Sequence, residues 1–248
     1  MDVALAVFAL APGLALGSFL NVVAARLPER RSLVRRRSSC RSCGHEIAWY
    51  DNVPLVSYAV LRGRCRACDA RIGLLYPAVE LATALLLAGS ILAFGPSLRA
   101  AAAVVFCCAL VVVTATDIER RIVPNRVVVP ATVVVLALQT AARPSPEWAI
   151  AAASASAFLL LAALVYPAWM GLGDVKLALL MGAALGRSVT VALMFGMVAA
   201  LVPSVVLLAR HGVRARKMAI PFAPFLALGS VVALFTGERL VHWYLATL

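Results

Sequence analysis

The chain reads as an all-α integral membrane protein of about eight transmembrane helices, with a small cytoplasmic four-cysteine zinc domain between helices one and two. Three observations lead there. Of 248 residues, 63% are hydrophobic and only 14% charged, with a mean hydropathy of +0.96; a soluble domain carries roughly 45–50% apolar and about 25% charged residues. Apolar runs long enough to span a bilayer recur along nearly the whole length. Inside lipid every backbone polar group needs an internal partner, which a Leu/Val/Ala composition meets with helices rather than a barrel. The net charge of +12 would suit nucleic acid, but the basic residues sit in short loops, where they set topology. No nucleic-acid partner is expected.

The apolar runs are residues 3–25, 78–94, 100–115, 127–142, 148–170, 175–185, 189–209 and 219–236. The first exceeds a signal peptide in length, has Asp2 in front and its positive charges, Arg26, Arg30 and Arg31, behind; it should stay in the membrane as a helix. The sixth is too short for a core of ~30 Å unless it is recessed or starts inside the bundle. These runs divide the chain into a first transmembrane helix (1–25), a cytoplasmic cysteine-rich domain (26–75) and a membrane domain (76–248).

Orientation follows from Lys and Arg. Residues 26–75 hold eleven arginines, residues 117–126 hold Arg120, Arg121 and Arg126, and residues 210–217 hold Arg210, Arg214, Arg216 and Lys217. The alternate loops carry Arg99, Arg143, Arg187 and Arg239, one each. The asymmetry predicts the first set in the cytoplasm and both termini on the far side of a plasma membrane.

Two constellations bear chemistry. Cys40-Arg-Ser-Cys43 is followed after 21 residues by Cys65-Arg-Ala-Cys68. On a segment facing a reducing compartment, two such pairs fit a tetrahedral four-thiolate zinc site, although the gap is longer than the usual 15–20 residues. Reduced unligated cysteines, or a redox pair, are the alternative. Four thiolates leave no open position, so this zinc would be structural, holding together a segment too small for its own core. Gly44 and Gly63 would ease the knuckle turns. Cys107 and Cys108, within an apolar run, read as small core residues.

The second constellation is Asp117, closing the third run, and Asp174, opening the sixth, both at the inferred cytoplasmic boundary. Carboxylates at membrane helices are functional candidates by default. Two of them close together cannot both ionise easily and can share a proton, so that one activates water while the other polarises a peptide carbonyl. Gly171, Gly173 and Lys176 would support this site, the glycines by letting a substrate or helix approach the backbone. Alternatively, both aspartates are interfacial caps paired with Arg120, Arg121 or Lys176. Asn21 and Glu80 suggest helix–helix hydrogen bonds.

Together these stretches resemble the bacterial type IV prepilin peptidases. The resemblance runs in order through GSFLNVVAARLP (17–28), the cysteine pairs, DNVPLVS (51–57), LRGRCRAC (61–68), YPAVE (76–80), the Asp117 motif, GLGDVKL (171–177) and PFAPFLALG (221–229). It implies an eight-helix fold with Asp117 and Asp174 catalytic, acting on prepilins and type II secretion pseudopilins. Cleavage would follow a glycine, on the cytoplasmic side of a basic leader preceding a hydrophobic helix. It also implies N-methylation of the new terminus with S-adenosylmethionine, since the cysteine-bearing domain accompanies the bifunctional form; a peptidase without that activity is the variant reading. No Rossmann-type glycine fingerprint locates the methyl donor. The family often has Asp where Glu119 stands, and Pro-Asp where this chain has Pro124-Asn125; Arg41 replaces a usual proline and Gly73 a usual serine. Two rivals from other classes are a transporter using the aspartates as an ion path and a zinc-knuckle assembly factor. Transporters place ionisable groups near the midplane, whereas these fall at one face.

Overall fold

The computed structural model describes residues 2–29, 31–33, 38–165, 171–212 and 220–247. Arg30, the end of the fifth apolar run and the basic cluster Arg214, Arg216 and Lys217 lie outside the described residues. Among those described, the regular elements are helical apart from two isolated β-bridges, Ser39 with Glu46 and Arg64 with Arg71. In chain order they are α1 (Asp2–Arg26), a 3-10 turn (Trp49–Asn52), α2 (Val56–Val60), α3 (Leu75–Phe94), α4 (Leu98–Arg120), α5 (Asn125–Ala142), α6 (Glu147–Val165), α7 (Leu172–Leu185), a second 3-10 turn (Gly186–Ser188), α8 (Val189–His211) and α9 (Ala223–Ala246). Seven described stretches are long and apolar enough to cross a membrane, with Leu172–Arg210 counting as one. The chain forms two compact units, Met1–Pro96 and Ser97–Leu248.

In the first unit α1 packs along α3. A Cβ on Gly13 would lie 2.7 Å from Ala84 Cα, and one on Gly17 2.6 Å from Glu80 Cα. Small residues thus let the two backbones meet, the usual packing device in lipid, where apolar side chains gain nothing by leaving the solvent. Asn21 Nδ2 donates to Tyr76 O at 3.0 Å, the helix–helix bond its position suggests. Glu80 has the Ser18 side chain of α1 as a partner and also accepts from Leu55 N at 2.9 Å, tying α2 to α3.

The second unit is built around α7. Leu177, Ala178, Leu180, Met181 and Ala183 are fully buried, enclosed by contacts with α4, α5, α6, α8 and α9. At 14 residues, α7 is about 21 Å long, short of a bilayer core. A helix clothed in protein need not match lipid thickness. A Cβ on Gly182 would lie 2.5 Å from Ala152 Cα on α6. Gln139 Nε2 of α5 donates to Ala184 O at 2.7 Å. Outward rows such as Met194, Val198, Leu201 and Val205 on α8 stay exposed, as lipid-facing positions should.

The far ends of these helices carry a charged clasp. Arg99 Nη2 meets Glu238 at 2.9 Å, Arg143 lies 3.9 Å from the same carboxylate, and Arg187 Nε meets Glu147 at 3.2 Å. Gly186, with φ +55°, turns the chain there, and a Cβ on it would press on Glu147 Oε1 at 2.7 Å.

Candidate active site and metal centre

Asp117 sits in the last turn of α4, which runs beyond the apolar pattern to Arg120 and stops at Arg121 in the left-handed conformation (φ +55°). The Asp117 side chain points inward, only 7% exposed, while Glu119 is exposed. A carboxylate in a helix's last turn faces the negative end of the helix dipole, so capping does not explain it. Its Oδ2 instead accepts from Ala223 N at 3.1 Å, at the first residue of α9. The Arg121 charge also acts on it. The PFAPFLALG segment had no individual role in the sequence reading. Its signal was a proline-flanked helix start, whose first amides are free to bind a carboxylate.

Asp174 occupies the first turn of α7, partly buried. Its carboxylate reaches back to the Gly171 amide, the N3-to-N-cap half of a capping box. Helix α7 packs against α4, with Gly173 against Val123, and Asp174 lies within electrostatic reach of Asp117, so two aspartates 57 positions apart in sequence come to the same end of the fold. Lys176 Nζ bonds Asn125 Oδ1 at 3.0 Å, linking the starts of α7 and α5. The two glycines differ. A Cβ on Gly173 would lie 2.8 Å from Val123 Cβ, in the turn between α4 and α5; among the described residues, one on Gly171 would meet nothing nearer than 3.8 Å. Gly173 therefore serves close packing.

The cysteine-rich segment folds as two matching knuckles. Gly44 N donates to Cys40 O and Asp69 N to Cys65 O, both at 3.0 Å; Cys40 N donates to His45 O and Cys65 N to Ala70 O, both at 2.9 Å. The left-handed position is filled by Gly44 (φ +74°) in the first knuckle and Asp69 (φ +55°) in the second. Gly63, which the sequence suggested for the second knuckle, closes the turn after α2 against the Tyr58 ring. All four Sγ atoms lie within 4.8 Å of one another, with Cys40 and Cys68 3.8 Å apart. A tetrahedron with Zn–S bonds near 2.3 Å has edges of about 3.8 Å; the four thiols can hold a metal ion of that kind. The Cys43 and Ser42 amides hold the Cys40 thiol down to about 6. The Ala70 amide pulls the Cys68 thiol down as well, yet the neighbouring thiols and desolvation together push it up to about 12. Four thiols at one point cannot all ionise without a cation. Asp51 and Arg66 brace the segment through a bidentate pair at 2.8 and 2.6 Å.

Comparison with known proteins follows the same division. Residues 12–94 match the bacterial peptidase A24 N-terminal domain, and residues 104–208 match the type IV leader peptidase family. A Bacillus subtilis protein named prepilin leader peptidase/N-methyltransferase is 34% identical over 241 residues, covering 94% of this chain and 95% of its own length. The chain belongs to the type IV leader peptidase family. Proteins of the same name from Burkholderia pseudomallei strain 1026b (33% identical; 93% of this chain, 85% of theirs) and Pseudomonas aeruginosa (32%; 94% and 91%) are further family relatives. No solved structure gives a significant match.

Proposed function

We propose that this family member cleaves the basic leader of prepilins and pseudopilins at the cytoplasmic face of the inner membrane, with Asp117 and Asp174 as the catalytic pair, and then N-methylates the new terminus using S-adenosylmethionine. The observation that carries the peptidase reading is the convergence of the two carboxylates from the end of α4 and the start of α7. One carboxylate takes a proton from water as the oxygen attacks the scissile carbonyl. The other, protonated, donates to the carbonyl oxygen, and as the C–N bond breaks a proton passes to the departing amine. Gly171, with no side chain of its own, would let an extended substrate approach the backbone beside Asp174. Lys176, through Asn125, positions the α7 start.

The orientation rests on the distribution of Lys and Arg among the loops. Zinc is proposed for the four thiols because they offer a closed tetrahedral set. Cys40, Cys43, Cys65 and Cys68 would hold it, and its contribution is cohesion of the segment rather than chemistry on substrate.

Reconstituted protein mixed with a prepilin tests the pair. Asp117→Asn and Asp174→Asn should each abolish cleavage while insertion is unchanged, since an amide can neither accept the proton nor share one. Exposed Glu119→Gln should cleave nearly normally. Appreciable turnover by either Asn variant, or equal damage from Glu119→Gln, removes the assignment.

A further inference from the structure

The short helix α2 is turned inside out. Its buried residue is Ser57, whose hydroxyl donates to Tyr50 O at 2.9 Å and accepts from Val53 N at 3.1 Å. Val56 and Val60, one turn apart on α2, are 58% and 69% exposed, and Val53, in the extended link before the helix, is 40% exposed. Beside them, Trp49 is 83% and Tyr50 54% exposed, their rings in edge contact at 5.7 Å. An apolar face of this kind needs a non-aqueous neighbour.

Two observations identify the neighbour as lipid. The first is depth. Leu55 N, at the α2 start, bonds Glu80 at 2.9 Å, and Glu80 lies five residues, about 7.5 Å, inside α3. The α2 start is therefore held alongside a membrane span, next to the turns whose Leu81 and Leu85 face outward, rather than above it. The second is charge. Residues 26–75 contain eleven arginines against four acidic residues, and Arg62, Arg64, Arg66 and Arg71 are exposed around α2. Basic residues near a membrane surface favour anionic headgroups, and Trp and Tyr favour the boundary between headgroup and chain.

We propose that residues 49–60 lie in the membrane interface, with Trp49, Val53, Val56 and Val60 seated among the headgroups and upper acyl chains of anionic lipid. This surface fixes the cysteine centre and the entrance of α3 at headgroup depth.

The test uses the full chain in nanodiscs, reading Trp49 as the emission difference between the native protein and Trp49→Phe. Lipid brominated on its upper acyl chain should quench this difference signal more than lipid brominated near the chain end. The quenching should be stronger in anionic than in zwitterionic bilayers, and aqueous acrylamide should quench poorly. Val56→Asp with Val60→Asp should reverse the pattern with metal content retained. Should that double variant lose its metal, amide exchange of the native chain decides: residues 49–60 should exchange more slowly in anionic discs, and equal rates overturn the proposal. Ready acrylamide quenching without bromolipid quenching also overturns it. So does shielding that appears only when a hydrophobic peptide substrate is added, which would make the face a protein-docking surface.

Discussion

Replacing Gly173 by alanine should slow leader cleavage by about two orders of magnitude without disturbing insertion. The added Cβ would stand 2.8 Å from Val123 Cβ and 3.0 Å from its Cγ2, where carbon atoms rest at about 3.5–4.0 Å. Relief therefore needs about 1 Å of movement. Val123 has no remote flexible end to give way, so the first turn of α7 must shift away from the α4–α5 turn, taking Asp174 with it. Misplacing a catalytic group by about 1 Å can cost ~100-fold. The assay is kcat for prepilin cleavage by reconstituted protein, with near-native KM because no substrate contact has been removed. Adding Val123→Ala removes the Cγ atoms but keeps the Cβ, so rescue should be partial. Gly171→Ala is the informative companion. Its Cβ would meet nothing closer than 3.8 Å among the described residues, so the loss should appear in KM. Native kcat in Gly173→Ala would refute the reasoning that α7 registers Asp174 through this contact.

Purified protein should contain about one zinc per chain by metal analysis; Cys40→Ser or Cys65→Ser should release it and open residues 40–70 to proteolysis, and full retention in both would dismiss the four-thiolate site. Mass spectrometry of a processed pilin should show one methyl on its N-terminal amine when methyl donor is supplied, and a consistently bare terminus would restrict the enzyme to proteolysis. Arg66 holds the Asp51 carboxyl below its ordinary range, so that pair supports the cysteine-rich segment in full above that range and loses its contribution as pH falls through the lowered value. Asp51→Asn should reproduce the loss at neutral pH as lower amide-exchange protection around residues 49–66, and protection, relative to the intrinsic exchange rate, that still falls with acid in that variant would exclude the pair as its cause.

The membrane class and the cysteine set were legible in the sequence, and the two aspartates proposed as the catalytic pair stood out in it, because each depends on local quantities. A hydrophobic run reports its own transfer into lipid, a Cys-x-x-Cys pair reports ligands a knuckle apart, and a carboxylate at the edge of an apolar run reports its own desolvation. The PFAPFLALG and GLGDVKL motifs were visible too, but as strings without partners. What only the tertiary structure decided is who meets whom. Ala223 offers its amide to Asp117 across 106 residues, Gly173 yields to Val123, and Glu80 reaches α2 as well as α1. The sixth run looked too short to span a bilayer because run length measures contact with lipid, whereas α7 is wrapped by other helices. Pairings of this kind depend on the packing of distant helices, and hydrophobic periodicity along one chain carries no record of which neighbour lies across a shared face.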